Sequence, residues 1–201
     1  MVIFMDKERV TESLKQAGLL LVFFCGGGLL SNLPMMIPGV FGVFISKENT
    51  GNQTISYIQW GIMAVIGAAT CVLIALMLSK SIGDSAALYA IHHKLDRTMD
   101  TRYMLITVGG ALAAYLLVSI ILGYQYVDGP VPYIMRILGR AERKINESEI
   151  ENIPYIIKFV SMLIHLAIIA PFPFIGYKKG YRERIAFQKE EEAEKGGNEN
   201  S

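Results

Sequence analysis

Residues 55–79 of the chain read ISYIQWGIMAVIGAATCVLIALMLS, a run of 25 residues without a single charged side chain. Residues 17–46, 103–127 and 154–176 form three further apolar stretches, and Lys158 is the only acidic or basic residue among them apart from histidine. A helix that crosses a bilayer needs about 20 mostly apolar residues, because hydrocarbon offers the backbone no hydrogen-bond partner. The sequence therefore predicts an all-α polytopic membrane protein in which four transmembrane helices form a bundle.

The overall composition supports this prediction. Of the 201 residues, 52% are hydrophobic and only 18% are charged, whereas a soluble domain carries about 25% charged residues. The formal net charge is +1, so total charge gives no indication of a nucleic-acid partner. The lipid bilayer is the expected surrounding of the chain.

The distribution of basic residues predicts the orientation. The segments at 1–16, 80–102 and 178–201 together carry 13 Lys and Arg residues, whereas the loops at 47–54 and 128–153 carry five. Basic residues favour the cytoplasmic side, so both termini are expected in the cytoplasm, with residues 17–177 forming the domain in the plasma membrane. The tail from residue 178 begins with a basic run, and its polar composition after Phe187 predicts disorder.

The first apolar stretch is too long for one straight span and contains residues that interrupt a helix. Asn32, Pro34 and Pro38 place the interruption near residues 32–38. Either a helix ends near Ser31 and a re-entrant segment follows, or one long helix is kinked and tilted. In the first case Asn32 would line an internal surface, because non-helical backbone at membrane depth requires cover from protein or water.

Small residues recur at four-residue spacing in the third stretch. Gly109 and Gly110 stand four residues before Ala113 and Ala114. This spacing allows two helix backbones to approach closely. Gly109, Gly110 and Ala113 are therefore candidate contact residues, either within the bundle or between copies of the chain.

The third loop contains an amphipathic pattern. Its apolar stripe is Ile134, Ile137, Leu138, Ala141 and Ile145, and the opposite face carries Arg136, Arg140, Arg143 and Lys144. This pattern predicts a short helix in the membrane interface, with the basic face toward headgroups or a docked partner. The four basic residues are therefore candidate interface residues.

His165 lies near the middle of the fourth stretch, seven residues after Lys158 and on the same predicted helix face. Ionisable groups at membrane depth are costly, which makes the pair a candidate polar site. The structural alternative is a neutral histidine bonded to a neighbouring helix, with Lys158 reaching to the interface. His92, His93 and Asp96 lack the spacing of a metal site, and the sequence identifies no cofactor.

No G-x-S-x-G, HExxH or P-loop motif occurs in the chain. We therefore expect a non-catalytic integral membrane subunit or accessory protein, whose partners are copies of itself or other membrane subunits and not nucleic acid. One alternative is an oligomeric channel or small transporter with a polar site near His165. A second is an enzyme whose chemistry takes place within the membrane.

Overall fold

A computed structural model describes residues 7–30, 53–122, 130–138 and 154–198. Within these ranges every regular element is a helix, which confirms the all-α prediction for this part of the chain. The helices are α1 (Lys7–Leu30), α2 (Gln53–His92), α3 (Thr101–Leu122), α4 (Val131–Leu138), α5 (Tyr155–Ile169) and α6 (Pro171–Asn198).

Three helical segments are long and apolar enough to cross a membrane, namely Trp60–His92, Thr101–Leu122 and Tyr155–Lys195. They correspond to three of the four predicted stretches. The predicted span at residues 17–46 is not confirmed: the described helix α1 covers this stretch only as far as Leu30, and the interruption predicted near residues 32–38 lies outside the described residues. Apolar side chains also point outward, as Val65, Leu73 and Met77 do on one face of α2. Such a face suits hydrocarbon better than water.

The core lies where α1, α2, α3, α5 and α6 meet. Leu20, Val108, Tyr115 and Met162 are fully buried there. The rings of Phe24 and Tyr115 meet edge to face, with centroids 5.8 Å apart. Extensive packing between α2 and α6 joins the second and the last of the described helices.

A π-helical turn over Leu105–Gly109 interrupts α3. Such a turn inserts one extra residue into the helix and is often found at functional positions. In this chain it turns Thr107 and Val108 inward, where both are buried. The hydroxyl of Thr107 donates a 3.3 Å hydrogen bond to the carbonyl oxygen of Ser13 and so connects α3 to α1.

Helix α2 continues to His92, so only a short connector joins it to α3. Lys94 has a positive φ of 52°. The amide of Leu95 donates to the carbonyl of Ala90, and the amide of Lys94 donates to Ile91. These two bonds close the last turn of α2 as a Schellman motif.

The tail differs from the prediction of disorder. Helix α6 continues past Phe187 to Asn198. Lys195 pairs with Glu191 at 2.6 Å, one turn apart, and Arg97 of the connector binds Glu192. Glu, Ala and Lys are good helix formers, and a segment that extends an existing helix needs no nucleation of its own. Local composition therefore misled the prediction.

The interfacial helix of the third loop is not confirmed. Helix α4 covers only the start of that pattern, and it packs against α2 and α5 with Val131 and Met135 completely buried. Leu138, expected in the apolar stripe, is 43% exposed. A Cβ placed on Gly67 would lie 3.2 Å from the nitrogen of Pro130. The absent side chain at Gly67 allows this close approach.

Candidate functional site

His165, the polar group predicted inside the membrane, lies in the interior of the bundle. It is 0% exposed and shares the inward face of α5 with Ser161, Met162 and Ile169. The hydroxyl of Ser161 donates to the carbonyl of Ile157 at 2.7 Å, within its own helix. The histidine that the sequence places near the middle of an apolar stretch is therefore enclosed by other described residues of the chain.

Lys158 and His165 share this face, but they are two turns apart. Seven residues of helix rise about 10 Å. The ammonium group of Lys158 lies 5.3 Å from the ring centre of Tyr155, near the start of α5. A cation over an aromatic ring is favourable at such a distance. The structure thus associates Lys158 with the helix end, and Asn32, the third predicted polar residue, lies outside the described residues.

The small residues of α3 lie on its outward side. Gly110 and Ala113 are exposed, and a Cβ placed on Gly109 would meet no atom within 4 Å. A Cβ on Gly110 would only reach Ala17 of α1, at 3.9 Å. The close helix contact that this spacing allows is therefore not made with any described helix of the chain.

The predicted basic interface falls mostly outside the described residues. Arg140, Arg143 and Lys144 lie beyond α4, and Arg136 belongs to α4 but its side chain is not described. These four residues stay a sequence prediction.

The closest helix contact in the described bundle involves glycines that the sequence reasoning missed. Gly176 and Gly180 of α6 face the backbone of α2 at Leu76 and Lys80, and Gly83 of α2 faces the carbonyl of Tyr177. A Cβ at any of these glycines would overlap a carbonyl oxygen of the opposite helix. The signal was present, since Gly176 and Gly180 have the same four-residue spacing as other close helix contacts.

Charged residues continue this α2–α6 crossing beyond the glycines. The ammonium of Lys80 lies 2.6 Å from a carboxylate oxygen of Glu183, and Arg184 lies 3.9 Å from Asp84. All four groups are partly exposed. Such pairs contribute little stability each, but they fix the rotation of α6 against α2.

A polar cavity lies where the start of α1 meets α2, α3 and α6. The guanidinium of Arg9 stands 4.3 Å above the ring of Tyr103. The cavity measures about 20 Å³, which is room for about one water molecule. This space is too small to bind an organic substrate. Its polar lining comprises Arg9, Glu12, Ser13, Gln16, Tyr89, Asp100, Tyr103, Tyr177 and Tyr181.

The connector after α2 carries two ordered charged groups. The backbone N–H and the hydroxyl of Thr98 donate to Asp96 at 2.9 and 2.8 Å, and these bonds lower the pKa of Asp96. Arg97 donates two hydrogen bonds to Glu192, at 2.9 and 2.8 Å. This pairing lowers the pKa of Glu192 and raises that of Arg97.

The histidines of the connector region do not assemble a metal site. The ring of His93 stacks on Tyr89 with centroids 4.0 Å apart. Across the described ranges there is no group of three or more His, Cys, Asp or Glu side chains placed to hold a metal ion.

Comparison with known proteins adds no assignment: no family model matches the chain, and neither a curated protein nor a solved structure is significantly similar to it. Any functional inference therefore rests on the residues and their geometry.

Proposed function

We propose that this chain is a non-catalytic integral membrane subunit that assembles with a second copy of itself or with another membrane subunit. The outward face of α3 is the proposed contact. The proposal keeps the predicted orientation, with both termini on the cytoplasmic side of the plasma membrane, as the distribution of basic residues favours.

The observation that supports assembly is the shape of the outer side of α3. Gly109, Gly110 and Ala113 form a shallow depression on this side. Leu105 and Leu117 flank it along the helix and are 53% and 60% exposed. A depression between bulky side chains accepts the ridge of another helix, and close packing is what drives helix association in lipid.

The α2–α6 crossing supports this interpretation of the small residues. There, the glycines are covered by the carbonyl groups of a neighbouring helix of the same chain. On α3, Gly109 and Ala113 have the same four-residue spacing, but no described helix covers them. Lipid chains pack against a smooth helix equally well, so a glycine depression in that position is better explained by a helix from another subunit.

The test is substitution of the depression with bulky residues. The double variant Gly109→Leu with Ala113→Leu fills it, whereas Ala69→Leu enlarges an exposed small residue on α2 and serves as the control. We expect the double variant to weaken association at least tenfold in lipid vesicles, measured by energy transfer between labelled copies or to a co-purifying subunit. The control should change it less than twofold.

Two results would contradict the proposal. One is a wild-type chain that stays monomeric and without a stoichiometric partner at every protein-to-lipid ratio in vesicles. The other is an equal loss of association in Ala69→Leu, which would show that any added bulk disturbs the chain. Circular dichroism confirms that each variant keeps its helix content.

A second candidate function is favoured by the complete burial of His165 within an apolar span. An oligomeric channel or small transporter needs a polar position of this kind along its path. In that case His165→Leu would abolish ion flux in reconstituted vesicles and leave association intact, while Ser161→Ala on the same face would preserve flux. Equal flux in wild type and His165→Leu would exclude this function.

A further inference from the structure

A groove of about 490 Å³ lies between the connector after α2 and the second half of α6. One wall is formed by Arg97, Thr98 and Met99, and the other carries Arg182, Ile185 and Lys189. Basic groups at both walls stand beside apolar ones. The groove therefore has the chemistry of a site for an amphiphilic anion.

Two of the three basic groups keep their charge available. Arg97 is held by Glu192 through two hydrogen bonds. Arg182 and Lys189 are exposed, and no salt bridge joins either to a residue in the described ranges, although the charge of Lys189 contributes to the lowered pKa of Glu192. On α6 they are two helical turns apart, about 10 Å along the axis. An anion that binds both Arg182 and Lys189 must carry more than one negative group or extend over about 10 Å.

The apolar part of α6 ends near Gly176, just before Lys178 and Lys179, which places the groove close to the membrane surface. At 1.5 Å per residue, Arg182 lies about 9 Å beyond that point and Lys189 about 20 Å. The headgroup layer extends about 5 to 8 Å from the hydrocarbon. Arg182 therefore lies near the outer limit of the phosphodiester groups, and only a headgroup that projects beyond them reaches Lys189.

We infer that this groove binds the headgroup of an anionic phospholipid that carries additional phosphate groups. Arg182 binds the phosphate nearer the bilayer and Lys189 the projecting phosphate. Met99 and Ile185 cover the apolar edge of the headgroup. The inference rests on the membrane placement in the proposed function but not on the assembly of copies.

The experiment uses the purified full chain in nanodiscs of phosphatidylcholine. Binding is measured by titration with a short-chain phosphatidylinositol bisphosphate. The variant Arg182→Gln with Lys189→Gln removes both groove cations, and Lys179→Gln with Lys195→Gln removes two cations that do not line the groove. We expect the groove variant to weaken binding at least tenfold and the control less than threefold.

Three outcomes overturn the inference. They are equal weakening in both double variants, no binding above that of short-chain phosphatidylcholine, and binding of soluble inositol trisphosphate as tight as that of the lipid. The last result would identify a free phosphate ligand instead of a lipid. Association of copies is measured on the same samples, so a failure of this site is distinguished from a failure of the proposed assembly.

Discussion

The substitution Gly176→Ala tests whether backbone contact holds α2 and α6 together. A Cβ on Gly176 would lie 2.5 Å from the carbonyl oxygen of Leu76 and 3.1 Å from the Cβ of Ser79. Cβ atoms essentially never approach other atoms closer than 3.0 Å, so the two helices must separate by the difference of about 0.5 Å.

The cost follows from the contacts that such a separation weakens. A gap of about 0.5 to 1 Å forfeits a quarter to a half of each dispersion contact. If the crossing has on the order of 40 atom pairs at about 0.15 kcal/mol each, as a buried leucine does, a loss of one quarter costs about 1.5 kcal/mol. Overpacked cores lose about 1–3 kcal/mol by the same mechanism. We therefore expect the free energy of unfolding of Gly176→Ala to lie about 1–2 kcal/mol below that of a glycine-to-alanine variant whose new Cβ meets no neighbour, because both variants gain the same helix propensity.

The assay is equilibrium unfolding in mixed detergent micelles, followed by helix content. Gly61→Ala on α2 is the matched control, because a Cβ at Gly61 would meet nothing within 4 Å. There the higher helix propensity of alanine should leave stability unchanged or raise it by up to about 1 kcal/mol. If Gly176→Ala were as stable as Gly61→Ala, the argument that backbone contact closes this crossing would be refuted.

Two further predictions concern contacts outside that crossing. Thr107→Val removes the hydroxyl that donates to Ser13 of α1 and should lower the free energy of unfolding by about 0.5–1.5 kcal/mol. The control is Thr70→Val, because the hydroxyl of Thr70 donates a hydrogen bond within α2; this variant should change the free energy of unfolding by less than about 0.5 kcal/mol. Equal effects of the two variants in the same assay would contradict a contribution from the hydrogen bond between α1 and α3. The pKa of Glu192 is lower in the folded chain because Arg97 binds its carboxylate. The ion pair therefore stabilises docking of the tail fully above the usual pKa of 4.5. This stabilisation is lost as the pH falls through the lower pKa of the folded chain. Spin labels at Lys94→Cys and Ala193→Cys should move apart on acidification. When Glu192→Gln is added, the distance between the labels should be the same at every pH. If the distance with Glu192 present does not change down to pH 3, the linkage is disproved.

Much of the fold could be predicted because apolar runs report directly on the solvent around a helix. Residues 55–79, 103–127 and 154–176 contain one charged residue besides histidine. In the described part of the chain, each of these stretches overlaps a helical segment that is long and apolar enough to span a membrane. The same apolar pattern identified His165 as an ionisable side chain near the middle of a predicted span. The inward face of α5 follows from helical spacing, since Ser161, Met162, His165 and Ile169 are all buried.

The polar cavity could not be predicted, because its residues come from distant segments. Arg9 of α1 meets Tyr103 of α3 only when the two helices pack. The ordered tail was missed for a related reason. Composition describes residues 188–198 as polar, but their helix extends α6 and is tied by Glu192 to Arg97, which is 95 residues away in the chain. Neither contact leaves a local pattern.

The small residues show a limit of a different kind. Glycines spaced four apart occur at Gly176 and Gly180, and Gly109 and Ala113 repeat the same spacing. Spacing alone indicates that a helix can approach, but only the structure shows whether the chain itself supplies that helix. It does so for Gly176 and Gly180, where α2 covers both.

The covered glycines also distinguish the two proposals. Because Gly180 lies against Lys80, it fixes the direction in which α6 leaves the bundle. That direction determines how far Arg182 and Lys189 lie from the connector at Arg97, and therefore the width of the groove between them. The depression on α3 is not part of this contact. The headgroup groove thus depends on the α2–α6 crossing, whereas assembly through Gly109 and Ala113 does not, and the two can be lost separately.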